Sequence, residues 1–311
     1  MSTYLITGGA GFIGSNLVDA LVQRGDEVRV IDDLSSGSLG NLTQVIDSIE
    51  FHKGDIRDSG LIERLLQGCD YVLHSAAIPS VARSVKDPEL THDVNVNGTL
   101  SLFRQAQKAK IKRVVFAGSS AVYGNTEVLP KVEEMRPTPL SPYAAHKMCG
   151  EYYARLFSEL YALDVVTLRY FNVFGPRQDP KGDYAAVIPK FVARMMAGKP
   201  PIIYGDGSQT RDFCYIDNVV AANLAALTAP KAAGGVYNIA CASRHSLLDL
   251  VALVNQYLGT QLVPVFEDIR PGDVLHSVAG IEAARRDLGY EPQVAFADGL
   301  RSTVAWYRRS K

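Results

Sequence analysis

Tyr4-Leu5-Ile6-Thr7-Gly8-Gly9-Ala10-Gly11-Phe12-Ile13-Gly14 joins a short apolar run to a glycine-rich turn and the opening of a helix. Tyr4 to Thr7 predicts a strand. Phe12 to Arg24 predicts a helix, with Ile13, Leu17, Ala20 and Leu21 on one face and Gly25 as its stop. Glycines 8, 11 and 14 recur at every third position, and glycines 9, 11 and 14 also fit G-x-G-x-x-G. Such a turn is tight, leaves no side chain where a pyrophosphate approaches, and lets helix and strand pack closely. The helix N-terminus then offers its free N–H groups and partial positive charge to the phosphates. A glycine-rich turn without a ligand has the same spacing, so the flanks decide. Val28 to Ile31 reads as the next strand and Asp32 ends it. A carboxylate there is placed to accept from a ribose 2′-hydroxyl and to repel a 2′-phosphate, which favours NAD over NADP. Asp55-Ile56 follows a third strand-like piece and could cap an adenine; the same pair is also an ordinary turn.

Working outward, short β-rich runs alternate with helical patterns. Ser59 to Gln67 reads as a short helix, Tyr71 to Leu73 as a strand and Thr91 to Lys108 as a long helix. The strand Arg113 to Ala117, a helix opening at Tyr143 and the strand Val165 to Tyr170 follow. Strands without polar alternation, separated by helices, predict a parallel sheet covered on both faces. The expected fold class is α/β: a doubly wound parallel sheet of the Rossmann type with a smaller mixed α/β lobe. After Asn172 prolines and glycines become frequent, and Tyr215 to Ala226 and Val236 to Ile239 again read as helix and strand of a sheet. The expected division is therefore 1–171 plus roughly 214–240 for the dinucleotide-binding domain, and 172–213 plus 241–311 for the second lobe.

The 311 residues carry 32 Lys and Arg against 33 Asp and Glu, a net charge of −1. Near-neutrality argues against a nucleic-acid partner. No apolar run approaches the ~18 residues that suggest a membrane span. The N-terminus runs straight into a strand, without the basic segment of a secretory signal. Cys69, Cys149, Cys214 and Cys241 are far apart, and His74, His92, His146, His245 and His276 fall at no metal spacing. No metal is expected, and a reducing cytoplasm fits.

Ser141-Pro142-Tyr143-Ala144-Ala145-His146-Lys147 has the chemistry of a helix start, with Ser141 as N-cap and Pro142 in the first position. Tyr143 and Lys147 then lie one turn apart on one face. A phenol with an ordinary pKa near ~10 is a poor base at neutral pH. A nearby ammonium and a positive nicotinamide ring would lower that value. The pair could then take a proton from a hydroxyl while hydride leaves the same carbon. Tyr-x-x-x-Lys also describes many exposed helix faces; the glycine turn is what singles it out. Ser119, directly after an apolar strand, is a candidate hydroxyl donor at the carboxyl end of the sheet, where ligands bind in open α/β folds. As a bare pattern, Gly118-Ser119-Ser120 is also a common turn.

GGAGFIG, GDIRD, HSAA, NVNGT, SSAVYG, SPYAAHK, RYFNVFGPRQ, GDGSQTRDFCYIDN and RPGDVLHS occur in that order. Together they make the sequence resemble the extended short-chain dehydrogenases/reductases, and among them the nucleotide-sugar 4-epimerases, over nearly its whole length. The resemblance implies Ser119, Tyr143 and Lys147 as a catalytic triad. It implies NAD bound by Gly8, Gly11, Phe12, Ile13, Gly14, Asp32, Asp33, Leu34, Ser36, Gly37, Asp55 and Ile56. Ser75, Ala76, Ala77, Tyr143, Lys147, Tyr170 and Phe171 would complete that site. It implies a UDP-sugar held by Ser80, Ser119, Ser120, Tyr143, Asn172, Ala186 and Val187, with Tyr204, Arg211, Arg270, Asp273 and Ser277 beyond them. Arg211 and Arg270 also suit the task by their chemistry, since a guanidinium presents a planar fork of donors to a diphosphate. Family members pair as homodimers through four helices, which here would be Thr91–Lys108 and Pro142–Tyr161.

The reaction follows from what is missing. Related dehydratases place acids just after the serine or threonine, and a decarboxylase would carry one at Ala121; this chain has Ser120 and Ala121. Without those carboxylates, oxidation and reduction at C4 remain. The expected activity is reversible C4 epimerisation of UDP-hexoses through a 4-keto intermediate, with NAD retained. Family comparison maps the residue that limits room near C2 onto Ser277; a tyrosine there would exclude an N-acetyl group, and serine leaves that volume open. That favours UDP-GlcNAc/UDP-GalNAc, with UDP-Glc/UDP-Gal also accepted. The alternative is a UDP-glucuronate 4-epimerase or another oxidoreductase of the same superfamily acting on a nucleotide sugar.

Overall fold

A computed structural model describes residues 1–181, 186–269 and 275–309. Arg270 and Asp273 of the expected substrate set lie outside the described residues. The first half runs β1 (Thr3–Thr7), α1 (Phe12–Gln23), β2 (Glu27–Asp32), β3 (Glu50–Lys53), α2 (Ser59–Leu66), β4 (Tyr71–His74), α3 (Val81–Lys86) and α4 (Pro88–His92). It continues through α5 (Thr99–Lys108), β5 (Arg113–Ser119), α6 (Pro142–Leu160) and β6 (Val165–Tyr170). The second half adds β7 (Val173–Phe174), α7 (Val187–Met196), β8 (Ile202–Tyr204), β9 (Thr210–Arg211), β10 (Cys214–Tyr215), α8 (Ile216–Thr228) and β11 (Val236–Ile239). It ends with β12 (His245–Ser246), α9 (Leu247–Leu258), β13 (Val265–Glu267), α10 (Glu282–Leu288) and α11 (Phe296–Arg309).

Seven strands form one sheet in the order β11-β6-β5-β4-β1-β2-β3, parallel at every pairing. Successive strand residues feed opposite cores. Ile6, Val30, Leu73, Val115 and Val166 join one apolar cluster with Leu17 and Leu21 of α1 and Val219 and Ala222 of α8. Leu5, Ile31, Val72, Val114 and Val165 join another with Ile62 of α2, Phe103 of α5 and Phe157 of α6. Both faces are covered, which is why the strands lack polar alternation. Three small sheets (β10 with β7, β12 with β9, and β13 with β8) lie beyond the large one. The first cluster continues among them through Phe174, Phe213 and Phe296.

The sheet order reverses at β1, whose neighbours are β2 and β4. A crevice opens at such a reversal, beyond the carboxyl ends of the strands. β5 is two residues longer than its apolar run suggests, because Gly118 and Ser119 still register with Arg169 and Tyr170 of β6. The expected single helix over 91–108 is instead α4, a π-helical turn at Asp93–Gly98, and α5. Wide turns of this kind are rare and recur at functional sites.

Candidate active site

The glycine turn is built so that larger residues do not fit. Gly8 has φ +69°, and a Cβ on it would lie 2.8 Å from the Ala76 Cα. A Cβ on Gly14 would lie 2.1 Å from the Gly8 carbonyl oxygen. α1 therefore starts hard against β1. Gly11 at its N-cap has no side chain to cap the helix, and its first turn holds no acid. The first hydrogen bond within the helix is Ser15 N to Gly11 O at 3.0 Å, so the amides of Phe12, Ile13 and Gly14 have no carbonyl behind them. Outward-facing amides with no competing carboxylate fit a dinucleotide pyrophosphate.

Asp32 ends β2 buried, accepting from Ala10 N at 3.0 Å and from Leu34 N at 2.8 Å. Burial raises its pKa, while those two amides pull it down. The expected ribose ligand is thus locked onto the glycine turn. Leu34 adopts φ 61° to reach it. Asp33 turns its carboxylate to Ser35 N and Oγ, at 2.9 and 2.7 Å. Ser36 and Gly37 follow in the loop back towards Ala10; a Cβ on Gly37 would come within 3.0 Å of Asp32. Asp55 is gripped by Arg57, which also reaches Asp93 at 2.7 Å, and Ile56 is buried beside Gly98.

On the other side of the crevice, Ser75, Ala76 and Ala77 leave β4. Ser75 N donates to Thr7 O and Ala76 N to Thr7 Oγ1, both at 3.2 Å. A chain of buried groups supports this segment: Thr7 Oγ1 meets His74 Nδ1 at 2.7 Å, and His74 Nε2 meets Thr99 Oγ1 at 2.9 Å. Thr99 donates its hydroxyl proton to Asn95 O, so it accepts from His74. That assigns the imidazole as the Nε2–H tautomer, with Nδ1 accepting from Thr7. Burial, with a smaller effect of Lys147, depresses its pKa to about 3, so the ring is neutral. Asn95 completes the chain, accepting from Ile78 N at 2.8 Å and donating to Ile78 O at 3.1 Å. The π-helical turn is what carries Asn95.

Ser141 caps α6 as its sequence predicts, accepting from Ala144 N at 3.2 Å, and Pro142 opens the helix. Tyr143 and Lys147 follow one turn apart. Burial raises the phenol pKa and a hydrogen bond from Ser119 opposes it. The lowering expected from Lys147 is absent: its Nζ is turned to Ala117 O at 2.8 Å and lies over the Phe116 ring. Burial lowers the Lys147 pKa to about 8, and Glu151, one further turn along, holds it up. Glu151 is in turn paired with Arg169 of β6 at 2.8 Å, both side chains being buried. Gly118 makes room for this, since a Cβ there would come within 3.3 Å of the Glu151 carboxylate. Ser119 ends β5, its Oγ accepting from Ala121 N at 3.2 Å, and Ser120 begins the 3-10 turn that follows.

Tyr170 ends β6 and Phe171 follows it, both buried. The Tyr170 hydroxyl is held by Asn223 at 3.0 Å. The Phe171 ring is fully buried against Tyr123, and its amide donates to Ile239 O. Asn172 then turns the chain with φ 34°, its Nδ2 donating to Asp212 O at 3.1 Å.

Asn172, Ala186, Val187, Tyr204 and Arg211 line one cavity of about 740 Å³, a size typical of sites for small organic ligands. Ser80, Ser120 and Ser277 are not among its walls. Ser80 caps α3, accepting from Arg83 N. Ser277 N donates to Thr210 O at 3.0 Å, next to Arg211. The fully buried Asp212 accepts from Cys241 N and Ala279 N, at 2.9 and 3.2 Å. It thus ties three segments together behind the cavity. Burial pushes its pKa up to about 6. Asp212, His74, Asn95, Ser84, Glu151 and Arg169 support the site, and sequence reasoning assigns none of them. Their partners lie far along the chain; HSAA, NVNGT, RYFNVFGPRQ and GDGSQTRDFCYIDN contain His74, Asn95, Arg169 and Asp212, but nothing in those motifs says what each would hold.

Residues 4–240 match the family model described as "NAD dependent epimerase/dehydratase family". The chain belongs to this family. A UDP-glucose 4-epimerase of Mycolicibacterium smegmatis is 41% identical over 308 residues, covering 98% of each chain. A solved UDP-N-acetylglucosamine 4-epimerase of Methanobrevibacter ruminantium, in complex with UDP-N-acetylmuramic acid, superposes with a TM-score of 0.96. It is 40% identical, and the match covers 100% of this chain and 99% of that one. A UDP-glucuronic acid 4-epimerase of Bacillus cereus, solved with UDP-glucuronic acid and NAD, gives 0.91 at 32% identity, covering 99% and 100%. The protein is thus an NAD-dependent enzyme of the UDP-sugar 4-epimerase family. No helix among the described residues is long and apolar enough to cross a membrane.

Proposed function

We propose that the protein interconverts C4 epimers of UDP-hexoses through a 4-keto intermediate. UDP-GlcNAc and UDP-GalNAc are the preferred pair, and UDP-Glc and UDP-Gal are also accepted. The observation that carries the reading is the Tyr143 phenol lying near enough to Ser119, at the carboxyl edge of β5, for that hydroxyl to lower its pKa, with Lys147 one turn along the same helix. NAD, when bound, supplies the hydride acceptor and donor. Tyr143 takes the proton of the C4 hydroxyl, and Ser119 donates a hydrogen bond to the oxygen as it becomes a carbonyl. Lys147 keeps positive charge close to the forming phenolate. Arg211 and, from the sequence, Arg270 hold the diphosphate while the keto sugar turns over about its bond to it. Tyr143 then returns the proton to the new alcohol. The reaction is redox-neutral, and no carboxylate stands at Ser120 or Ala121 to drive elimination.

An assay of UDP-GlcNAc, UDP-GalNAc, UDP-Glc and UDP-glucuronate without added cofactor tests this. Epimer formation with no net NADH supports it; NADH accumulation makes the protein a dehydrogenase, and exclusive use of the uronate favours the alternative. In the same assay Ser277→Tyr is expected to suppress turnover of the acetylated sugar at least about tenfold more than that of UDP-Glc. Equal losses on both would remove the steric argument.

Glu151→Gln gives a pH test. Glu151 holds the Lys147 pKa up against burial, so its loss lowers that pKa and leaves Arg169 as an unpaired positive neighbour. The alkaline fall in kcat is expected to move to lower pH; a shift to higher pH would contradict the role given to Lys147. Breaking a buried pair costs about 3–5 kcal/mol, so the variant also melts earlier.

We further propose a homodimer formed through α5 and α6, in a reducing cytoplasm. Tyr152, Leu156, Leu160 and Tyr161 are exposed along α6 and just beyond its end, and Leu100 and Arg104 of α5 share a groove with Leu156 and Leu160. Four free cysteines suit a reducing compartment.

A further inference from the structure

We infer that Ser84 is a positioning residue for Tyr143; the inference rests on the reading of Tyr143 as the proton-transfer group. The residue after a helix-opening proline has a backbone N–H with no partner inside its own helix. In α6 that residue is Tyr143 itself. Its N–H donates to the Ser84 Oγ at 3.0 Å, across 59 positions of sequence. Ser84 is fully buried on α3, and its hydroxyl proton goes to Val81 O at 2.6 Å. The hydroxyl therefore has one orientation: it donates within its own helix and presents a lone pair to the tyrosine. The next amide of α6, Ala144 N, is capped from within by Ser141. The first turn is thus fixed from two directions, one local and one from α3.

α3 is a suitable anchor because its own start is held. Ile78, three residues before it, is gripped through both N–H and C=O by Asn95. Ser80, expected at the sugar, caps it. The segment that leaves β4 past the expected nicotinamide contacts Ser75 to Ala77 therefore ends on the backbone of the residue that moves the proton. One short helix sets the distance between substrate, cofactor crevice and phenol. Without the Ser84 oxygen the Tyr143 amide faces a buried space with no acceptor, and the first turn of α6 must shift to find one.

Ser84→Ala and Ser84→Cys, assayed beside Tyr143→Phe, test the assignment. Rates are expressed per mole of bound nicotinamide, which removes the effect of misfolded enzyme. For Ser84→Ala, kcat is expected to fall ~10–100-fold, as for other small misplacements of a reacting group. KM is expected to stay within about twofold, since the loss is confined to the reacting geometry. The primary isotope effect with substrate deuterated at C4 is expected to rise. Cysteine keeps the shape but is a weaker acceptor, so its kcat falls in between. A role in folding alone would lower nicotinamide content and leave kcat per bound cofactor and the isotope effect unchanged; either that result or a change confined to KM overturns the proposal. If the alanine variant does not fold, the cysteine variant decides by the same measures. An active Tyr143→Phe would instead defeat the reading of Tyr143, whatever the Ser84 variants do.

Discussion

Tyr143→Phe is expected to leave a folded, NAD-bearing protein whose turnover is lower by ~10²–10⁴-fold, the usual share of a positioned acid–base group. The fold should survive, because the change leaves the ring in place and the backbone amide on Ser84. The loss should be this large because no neighbour can take over. Lys147 Nζ is committed to Ala117 O, and His74 is neutral with both ring nitrogens in use. The measurement is steady-state epimerisation, with bound nicotinamide and thermal melting alongside. Near-normal turnover would end the assignment. Ser119→Ala is the companion variant: it removes the group that opposes the burial-driven rise in the phenol pKa, so the acid limb of its rate profile should move to higher pH.

Gly14→Ala is expected to empty the protein of nicotinamide as isolated and to destabilise it by ~3 kcal/mol, the upper part of the range for overpacking. The added methyl would stand 2.1 Å from the Gly8 oxygen and 2.7 Å from the Gly9 Cα. Both are backbone atoms of the turn that the cofactor needs, so neither can swing aside. α1 has to retreat, and the amides of Phe12 and Ile13 retreat with it. Gly60→Ala is the control. It lies in α2, where a Cβ meets the Asp58 carboxylate at 3.5 Å and an Arg64 guanidinium nitrogen at 3.9 Å, both ordinary contacts, so it should be neutral or stabilising by up to ~1 kcal/mol. Nicotinamide absorbance of the purified proteins and their melting temperatures separate the two; a Gly14→Ala protein that retains full cofactor would contradict the close approach.

What could be read in advance follows the range of the forces involved. β6 over Val165–Tyr170 and β11 over Val236–Ile239 coincide with their apolar runs because a buried parallel strand needs little more than such a run. The start of α6 was equally plain, since Ser141 and Pro142 act on the next few residues. α9 carries as clear a local signal, a capping box between Ser246 and Asp249 with Gly259 as its left-handed stop. The small sheets of the second half were not legible. Two-residue strands such as β7 and β10 have no period, and what pairs them is the surrounding aromatic packing of Phe174, Tyr215 and Phe296. At the site, spacing puts Tyr143 and Lys147 one turn apart on α6, but not the direction of the lysine, whose Nζ reaches Ala117 O. Which way a lysine turns depends on where the Ala117 carbonyl lies, and no local pattern encodes that.

The widened turn at Asp93–Gly98 has a consequence for how the chain can vary in length. A helix that takes up one surplus residue by loosening a single turn leaves the phase of everything downstream unchanged. Leu102, Phe103 and Ala106 of α5 therefore face the core as they would had the surplus residue never been there. Shortening the loosened turn by one would let the helix close up with its interior fit intact, while the Asn95 carboxamide rotated away from Ile78. A deletion can thus keep the packing of α5 in phase while it frees Ile78 and undoes the alignment of the sugar and the nicotinamide.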